Sequence, residues 1–153
     1  MQHNKESQHE QNIFQSLKQW ASIYTIYRGN KSQKYLARNT NTYIHTTSMP
    51  KSPTKAQLAI LPLISARNVQ QGDILVSRVG RRCLGRIMYV TEGIVPISDC
   101  IIGIRPISTE VGTAIWDKLS SQHFKAYLDN ASLGVGATYI THKQLTASFT
   151  RNI

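Results

Sequence analysis

The chain has 153 residues, a net charge of +10 and 41% hydrophobic residues, values that suit one globular domain with a sizeable core. It contains no run of about twenty apolar residues, which excludes a membrane-spanning helix. Residues 1–15 are polar and lack the apolar centre of a signal peptide, so a cytoplasmic protein is expected.

The positive charge is concentrated in the first half of the chain. Residues 1–72 contain nine bases and two acids, a net charge of +7, whereas residues 73–153 contain nine bases and six acids, a net charge of +3. No acid occurs between Glu10 and Asp73. A basic excess this uneven favours a polyanionic partner, and nucleic acid is the commonest soluble one, although a basic surface can also serve solubility alone.

The N-terminal part of the chain changes from polar to apolar. Residues 1–12 are predicted to be disordered or frayed, which leaves residues 13–153 as a single domain. Apolar residues at near-helical spacing predict helical turns over 13–21. The β-branched and aromatic run Ile23–Tyr27 predicts a strand that ends in a turn at 28–30.

Residues 30–58 are rich in Asn, Thr, Ser and Lys and poor in apolar side chains. They predict a long loop, and a loop of this length in a compact domain is usually functional or disordered. Its bases, amides and hydroxyls suit contacts to phosphates and base edges; a disordered polar linker is the alternative. The apolar run Leu58–Ile64 is predicted to enter the core, with Pro62 at an edge or a bulge.

Three short apolar runs follow, separated by turn residues. They are Ile74–Val76, Cys83–Val90 and Cys100–Ile104, and they predict three strands of one sheet. Asp73 precedes the first run in a turn and is predicted to be structural rather than catalytic. Four arginines lie between the first two runs or within the second: Arg78, Arg81, Arg82 and Arg86. Binding residues are often found on such loops, because rigid strands hold them in place.

The last third of the chain has a helical pattern. Apolar residues at helical spacing, Ile115, Leu119, Phe124 and Leu128, predict two short helices after Pro106. A glycine-containing break then leads to a final predicted strand at Ala137–Ile140, and Leu145 and Phe149 are expected to pack against the core.

No catalytic or metal-binding constellation is present in the sequence. The five histidines are scattered and have no zinc-ligand spacing. The sequence lacks a P-loop, a dinucleotide fingerprint, a nucleophile elbow and the catalytic motif of N6-adenine methyltransferases. The eight acids are mostly isolated and form no obvious pair for acid–base catalysis. We therefore expect a protein that is not an enzyme and that needs no cofactor.

Two segments of the sequence carry a family resemblance. The run Gly72–Gly80, GDILVSRVG, closely resembles the signature of target recognition domains, which occur in the specificity subunits of type I restriction–modification enzymes and in fused N6-adenine DNA methyltransferases. The segment Ser98–Pro106, SDCIIGIRP, is similar to a later segment of that family. The resemblance covers about residues 17–152 and is strongest over Val69–Pro106. It implies a compact, β-rich α+β domain with short peripheral helices.

The resemblance also implies a function. Target recognition domains are non-catalytic modules that read one half of a bipartite double-stranded DNA target, and a methyltransferase subunit or a second recognition domain would be the protein partner. Full specificity subunits also contain long helices that form an antiparallel coiled coil. This sequence has no counterpart of those helices, so a solitary recognition domain is expected.

The candidate DNA-binding residues follow from this resemblance and from their chemistry. They are Lys31, Lys34, Arg38, Asn39, Asn41, Thr42, Arg78, Arg81, Arg82, Arg86, Ser132, Gly136 and Thr138. The bases could contact phosphates, and the arginines could also bind guanine through two hydrogen bonds. The amides and the hydroxyl at 39–42 could read base edges. The three small residues match the family's Gly/Ser turn near DNA, where small side chains allow close backbone approach.

Two other functions stay open from the sequence. The chain could regulate a restriction–modification subunit through protein contacts, or it could be a basic RNA-binding domain in which Tyr35, Tyr43 or Trp20 stacks on bases. A duplex preference with base-specific competition would favour DNA readout. Tight binding to a methyltransferase subunit without DNA would favour regulation, and a preference for single strands would favour RNA binding.

Overall fold

The computed structural model describes residues 23–131 and 139–150 of the chain. The predicted disorder over 1–12 and the predicted helical turns over 13–21 lie outside the described residues. In the described ranges, no helix is both long enough and apolar enough to cross a membrane.

The described fold is α+β, as predicted. Its strands are β1 (Tyr24–Arg28), β2 (Thr54–Ile60), β3 (Ile74–Ser77), β4 (Ile87–Ile94) and β5 (Ile101–Pro106). Its α-helices are α1 (Gln33–Asn39), α2 (Thr109–Leu119), α3 (Gln122–Ala131) and α4 (His142–Thr150). The predictions of β1, of the three strands between 74 and 106, and of two helices after Pro106 are confirmed, except that residues 83–86 of the second predicted run form a turn and β4 begins at Ile87.

The five strands form one mixed sheet in the order β1-β5-β3-β4-β2. The pairs β1–β5, β5–β3 and β3–β4 are antiparallel, whereas β2 runs parallel to β4. The segment Gly72–Gly80, which carries the resemblance, therefore supplies the central strand of the sheet.

Apolar layers cover both faces of the sheet. Ile74 and Val76 belong to the layer that contains the buried side chains of α2, α3 and α4, while Leu75 belongs to the layer on the opposite face, together with Ile97. All four residues of β3 are buried. A strand that is buried on both faces needs no polar alternation, which explains why β3 is a continuous apolar run in the sequence.

The helical layer is fixed by a cap and by aromatic contacts. The side chain of Ser108 accepts a hydrogen bond from the backbone N–H of Val111 at 3.2 Å, which begins α2 directly after β5. The ring of Phe149 on α4 meets the ring of Tyr24 edge-on, with 5.3 Å between centroids. Phe149 and Leu145 are fully buried, so their predicted packing is confirmed.

The C-terminal part of the fold differs from its prediction. Only Tyr139 and Ile140 of the predicted strand Ala137–Ile140 lie in the described residues, and Tyr139 forms an isolated bridge with Val79 rather than a strand pair. The two predicted core residues that follow lie on α4, a helix that the sequence did not indicate.

The prediction of a long loop over residues 30–58 is wrong. The segment contains α1, a 3-10 turn at Thr46–Ser48 and the first half of β2. A hydrogen bond from the backbone N–H of Tyr35 to the Ser32 side chain caps α1, and Leu36 is its buried residue. A helix with only one buried apolar residue has no hydrophobic periodicity. The polar composition of the segment therefore gave no indication of α1.

The prediction that Leu58–Ile64 enters the core is confirmed only in part, since Leu58 and Leu61 pack against the apolar layer that contains Leu75. The first part of this run belongs to β2, which lies at the edge of the described sheet and pairs there with β4. Ile60 and Leu63 are 66% and 73% exposed, and Leu58 is only partly buried. An edge position leaves the outer side of the strand without a neighbour, so apolar composition alone overstated the burial of this segment.

Candidate nucleic-acid interface

The sheet topology brings the loops that carry the predicted arginines to one end of the sheet. At this end β1 and β3 finish, and β2, β4 and β5 begin. The pairs that show this are Arg28 with Ile102, Ser77 with Ile101, Val76 with Ile87, and Thr54 with Met88. Separated parts of the chain thus meet at one place on a rigid scaffold.

We call this end of the sheet the basic end. The bases on or beside its strand ends are Arg28, Lys31, Lys51, Arg78, Arg81, Arg82 and Arg86. Asp99 also lies there, but its backbone carbonyl accepts a hydrogen bond from Nε of Arg28 at 2.7 Å, and its carboxylate accepts a weak one from the Cys100 thiol at 3.6 Å. The opposite end of the sheet carries Asp73.

Arg78 is held at the centre of the basic end. Its backbone N–H donates to the carbonyl of Cys100 at 3.0 Å, and its carbonyl accepts from the N–H of Ile140 at 2.8 Å. Burial, and then the nearby charge of Arg28, lower the pKa of Arg78 from its ordinary value. Burial and the charges of both arginines likewise lower the pKa of His142 on α4. Positive side chains are therefore held close together here, which favours an anionic ligand.

A tight turn between β3 and β4 presents the next two arginines. Gly80 and Gly85 both have positive φ, and the N–H of Leu84 donates to the carbonyl of Gly80 at 3.0 Å. The turn is short and internally hydrogen-bonded, and Arg81 and Arg82 project from it as exposed residues. Their guanidinium groups can reach a ligand without any rearrangement of the sheet.

Arg86 connects this turn to the segment before β2. Its side chain is partly buried, and one guanidinium nitrogen donates to the carbonyl of Met49 at 3.4 Å. Its backbone carbonyl accepts from the N–H of Ser77 at 2.9 Å. Arg86 therefore has a structural contact in addition to the DNA contact predicted for it.

Of the predicted bases on and before α1, Lys31 lies at the basic end. Its carbonyl accepts from the N–H of Asp99 at 2.9 Å, and its ammonium group lies 4.7 Å from the centroid of the Tyr35 ring. Lys34 and Arg38 are exposed and are four residues apart on α1, so they share one face of that helix.

The residues predicted to read base edges lie at the end of α1 and directly after it. They are exposed, but some of their polar side-chain atoms already form hydrogen bonds within the protein. The side-chain amide of Asn39 donates to the carbonyl of Tyr35 at 2.8 Å, a bond within the helix end. The backbone N–H of Thr42 donates to the hydroxyl of Thr40 at 3.3 Å, and Asn41 is exposed between them. This leaves Asn41 and the Thr42 side chain to face solvent.

The three small predicted residues, Ser132, Gly136 and Thr138, lie outside the described residues. The chain re-enters the described part at Tyr139, which bridges to Val79, and at Ile140, whose N–H donates to Arg78. The first described residues after this segment are therefore in contact with the central arginine of the basic end.

Asp73 was predicted to be structural, and its contacts confirm this. Its carboxylate is fully buried and accepts from the hydroxyl of Tyr27, from the N–H of Gln70 at 3.0 Å, and from two nitrogens of Arg105 at 2.8 and 2.9 Å. These bonds join β1, β5 and the turn before β3 at the end of the sheet opposite to the basic end. The acid of the GDILVSR run thus stabilises the fold and is not available to a ligand.

The chemistry that the basic end offers is charge and hydrogen-bond donation. Guanidinium groups cannot act as bases at neutral pH, and they present donors in a fixed planar fork. In the ranges 23–131 and 139–150, no three His, Cys, Asp or Glu side chains are placed so that they could hold a metal ion. The arrangement suits binding of phosphate or of guanine edges.

Comparisons with known proteins give limited information. No protein-family model matches the chain, and no curated protein does. Among solved structures, the chain is similar to the crystal structure of a type I restriction–modification system S subunit from M. genitalium, with 13% sequence identity and a TM-score of 0.34. The match covers 95% of this chain and 44% of that protein, so the chain spans less than half of its length.

Four basic side chains lie beside the predicted ones but were not among the candidate residues: Arg28, Lys51, Lys125 and His142. Arg28 directly follows the predicted strand β1, and its position at a strand end was a usable signal. Lys51 lies in the segment 30–58, whose bases were predicted as a group to suit phosphates. Lys125 and His142 reach this region through contacts between distant parts of the chain, which no local pattern identifies.

Proposed function

We propose that this protein is a non-catalytic DNA-binding module that reads one half-site of a double-stranded target for an N6-adenine DNA methyltransferase or a type I restriction–modification complex. The single observation that supports it most is the basic end, where separated parts of the chain place their bases around the central strand of the GDILVSR run. A methyltransferase subunit or a second recognition domain would be its protein partner.

In this proposal the loops of the basic end meet the DNA grooves. Arg78, Arg81 and Arg82 bind guanine edges or phosphates, since a guanidinium fork matches O6 and N7 of guanine. Lys31, Lys34 and Arg38 hold phosphates, which set the register but carry no sequence information. Asn39, Asn41 and Thr42 read base edges. Ser132, Gly136 and Thr138 allow close approach of the backbone.

The structure describes two of the tyrosines that could stack on single-stranded RNA. Bases of single strands are bound by stacking on open aromatic faces. The ring of Tyr35 is partly buried and has the Lys31 ammonium group over one face. The hydroxyl of Tyr43 accepts a hydrogen bond from Gln33 at 3.4 Å, a contact that does not cover the faces of its ring. Competition between duplex DNA and single-stranded RNA therefore decides between the two ligands, and the proposal expects preferential binding of the duplex.

The test is a selection of random duplex DNA by the purified chain, at low and near-physiological salt, with and without a methyltransferase subunit from a neighbouring gene. We expect enrichment of a motif of a few base pairs, and we expect Arg82→Ala to lose it. Binding should be weak and salt-sensitive, because a half-site offers few contacts. Binding that enriches no sequence at either salt concentration would refute half-site reading.

A further inference from the structure

A groove of about 440 Å³ opens beside the basic end, between the segment before β2, the β3–β4 turn and the start of α3. Four bases line it: Lys51, Arg82, Arg86 and Lys125. None of its lining residues is acidic. The volume lies within the range of about 300–1,000 Å³ that is usual for ligand sites. Two of the four bases, Lys51 and Lys125, were not among the candidate DNA-binding residues of the sequence.

Among the side chains that the structure describes, none supplies a carboxylate partner for the bases of this groove. In the described parts of the chain, Lys51, Arg82 and Lys125 have no carboxylate partner, and all three are exposed. Arg86 donates only to a backbone carbonyl. Four like charges around one concave surface raise the local potential and favour an anion there.

The walls of the groove are held in position by packing. Gly85 has φ +80, and a Cβ at this residue would lie 2.2 Å from Cδ1 of Leu128, so glycine allows α3 to pack against the β3–β4 turn. Phe124 and Leu128 are buried under α3, which leaves Lys125 on its exposed side. The Arg86–Met49 bond fixes the opposite wall, which carries Lys51.

The hydrogen-bond donors of the groove suit phosphates better than bases. The hydroxyls of Ser120 and Ser121 donate to the carbonyls of Trp116 and Lys118, at 2.7 and 2.6 Å, so these donors are already used. The groove then offers the ammonium groups of Lys51 and Lys125, together with the guanidinium groups of Arg82 and Arg86 and the amide of Gln122. Flexible ammonium groups act as point charges and do not provide the fixed donor and acceptor pattern that base reading requires.

We propose that this groove binds the phosphate backbone of one DNA strand, with Lys51 and Lys125 as positioning residues that hold the duplex against the base-reading turn. The inference rests on the proposed function, because it names a contact that the same duplex would make. It assigns Lys51 and Lys125 to sequence-independent affinity, and it leaves sequence readout to the neighbouring arginines.

The test compares Lys51→Ala, Lys125→Ala and the double variant with wild type, by measuring Kd for the selected motif and for a scrambled duplex over a range of salt concentrations. Each substitution should lower the slope of log Kd against log salt by about 0.9 and weaken binding to both duplexes by the same factor. The selected motif itself should not change. The matched control is Lys55→Ala, since Lys55 is exposed on β2 and does not line the groove.

The outcomes separate this inference from the proposed function. Salt-sensitive binding without sequence preference, reduced by both lysine substitutions, would support the groove and refute half-site reading. An unchanged slope, or a loss confined to the selected motif, would overturn the groove while leaving half-site reading in place. Absence of duplex binding by wild type at low salt would overturn both. Unfolding midpoints equal to that of wild type would show that the exposed lysines do not act through stability.

Discussion

Tyr27 is one residue that makes fold stability sensitive to alkaline pH. Its hydroxyl donates to the buried carboxylate of Asp73. Burial, and next the charge of Asp73, raise the pKa of Tyr27 above its ordinary value of 10.0. The unfolded chain therefore loses this proton at a lower pH than the folded chain does. The stabilisation is complete below pH 10.0 and is lost as the pH rises above that value.

Replacement of Tyr27 by phenylalanine should remove part of this pH dependence. We expect Tyr27→Phe to lower the free energy of unfolding by about 1.5–3 kcal/mol at neutral pH, because the buried carboxylate loses one hydrogen bond. Its further loss of stability above pH 10.0 should be smaller than that of wild type. Urea unfolding midpoints at neutral and alkaline pH measure both effects.

The control for this substitution is Tyr43→Phe, which removes a hydroxyl that accepts only a long hydrogen bond from Gln33. This variant should keep the neutral stability and the alkaline loss of wild type. If Tyr27→Phe lost as much stability as wild type between neutral and alkaline pH, the contact with Asp73 would not be the cause.

The residues of the candidate site could be selected from the sequence only where they lie close to one another along the chain. Arg78, Arg81 and Arg82 are close together in the sequence, so composition and turn signals were enough to select them. The structural role of Asp73 followed from its place in a turn, but its partners did not. Tyr27 and Arg105 are 46 and 32 positions away, and no period or motif connects them.

At the scale of elements, sequence prediction succeeded for strands that are buried on both faces and for a helix that buries one apolar face. The strands β3 and β5 are continuous apolar runs because both faces are covered, and α2 shows helical spacing because one face is buried. It failed for α1 and β2. The first has a single buried residue, and the second is an edge strand whose apolar residues are largely exposed.

The contact between the β3–β4 turn and α3 is an element-scale feature that substitution of one glycine can test. Gly85→Ala would add a Cβ at a positive φ and 2.2 Å from Leu128. We expect a loss of about 2–4 kcal/mol, of which about 1–2 comes from the backbone conformation and the rest from displaced packing. The free energy of urea unfolding measures it.

Gly72→Ala provides a matched control for this loss. Gly72 also has a positive φ, +92, but nothing lies within 4 Å of the position of an added Cβ. Its substitution should therefore cost only the backbone part, about 1–2 kcal/mol. If the two variants lost equal stability, the approach of α3 to the β3–β4 turn would not be as close as the structure shows.

At the scale of the whole molecule, the stabilising contacts of Asp73 and the proposed binding surface lie at opposite ends of the sheet. The ion pair between the buried Asp73 and the partly exposed Arg105 lies at one end, where it joins β5 to the turn before β3. The bases of the β3–β4 turn lie at the other end, where they are exposed or partly exposed. Substitution of the exposed arginines at the basic end, Arg81 and Arg82, should therefore alter ligand binding with little effect on folding. The central strand β3 carries both functions, since Asp73 precedes it and Arg78 follows it.

A substitution at Arg78 that keeps the positive charge can separate base recognition from the charge-dependent part of DNA affinity. Arg78→Lys retains a cation but loses the planar fork that can bind guanine through two hydrogen bonds. We expect a loss of about 1–3 kcal/mol in affinity for the selected duplex, and no change in salt slope or in affinity for a scrambled duplex.

The matched change is Arg38→Lys on the exposed face of α1, which should leave both affinities unchanged if Arg38 holds a phosphate. Titrations of both variants against both duplexes, at one fixed salt concentration and then over a range, give the comparison. Equal losses of Arg78→Lys on the two duplexes would assign Arg78 to the DNA backbone. Sequence reading would then have to come from other residues, with Arg81 and Arg82 as the nearest candidates on the same rigid turn.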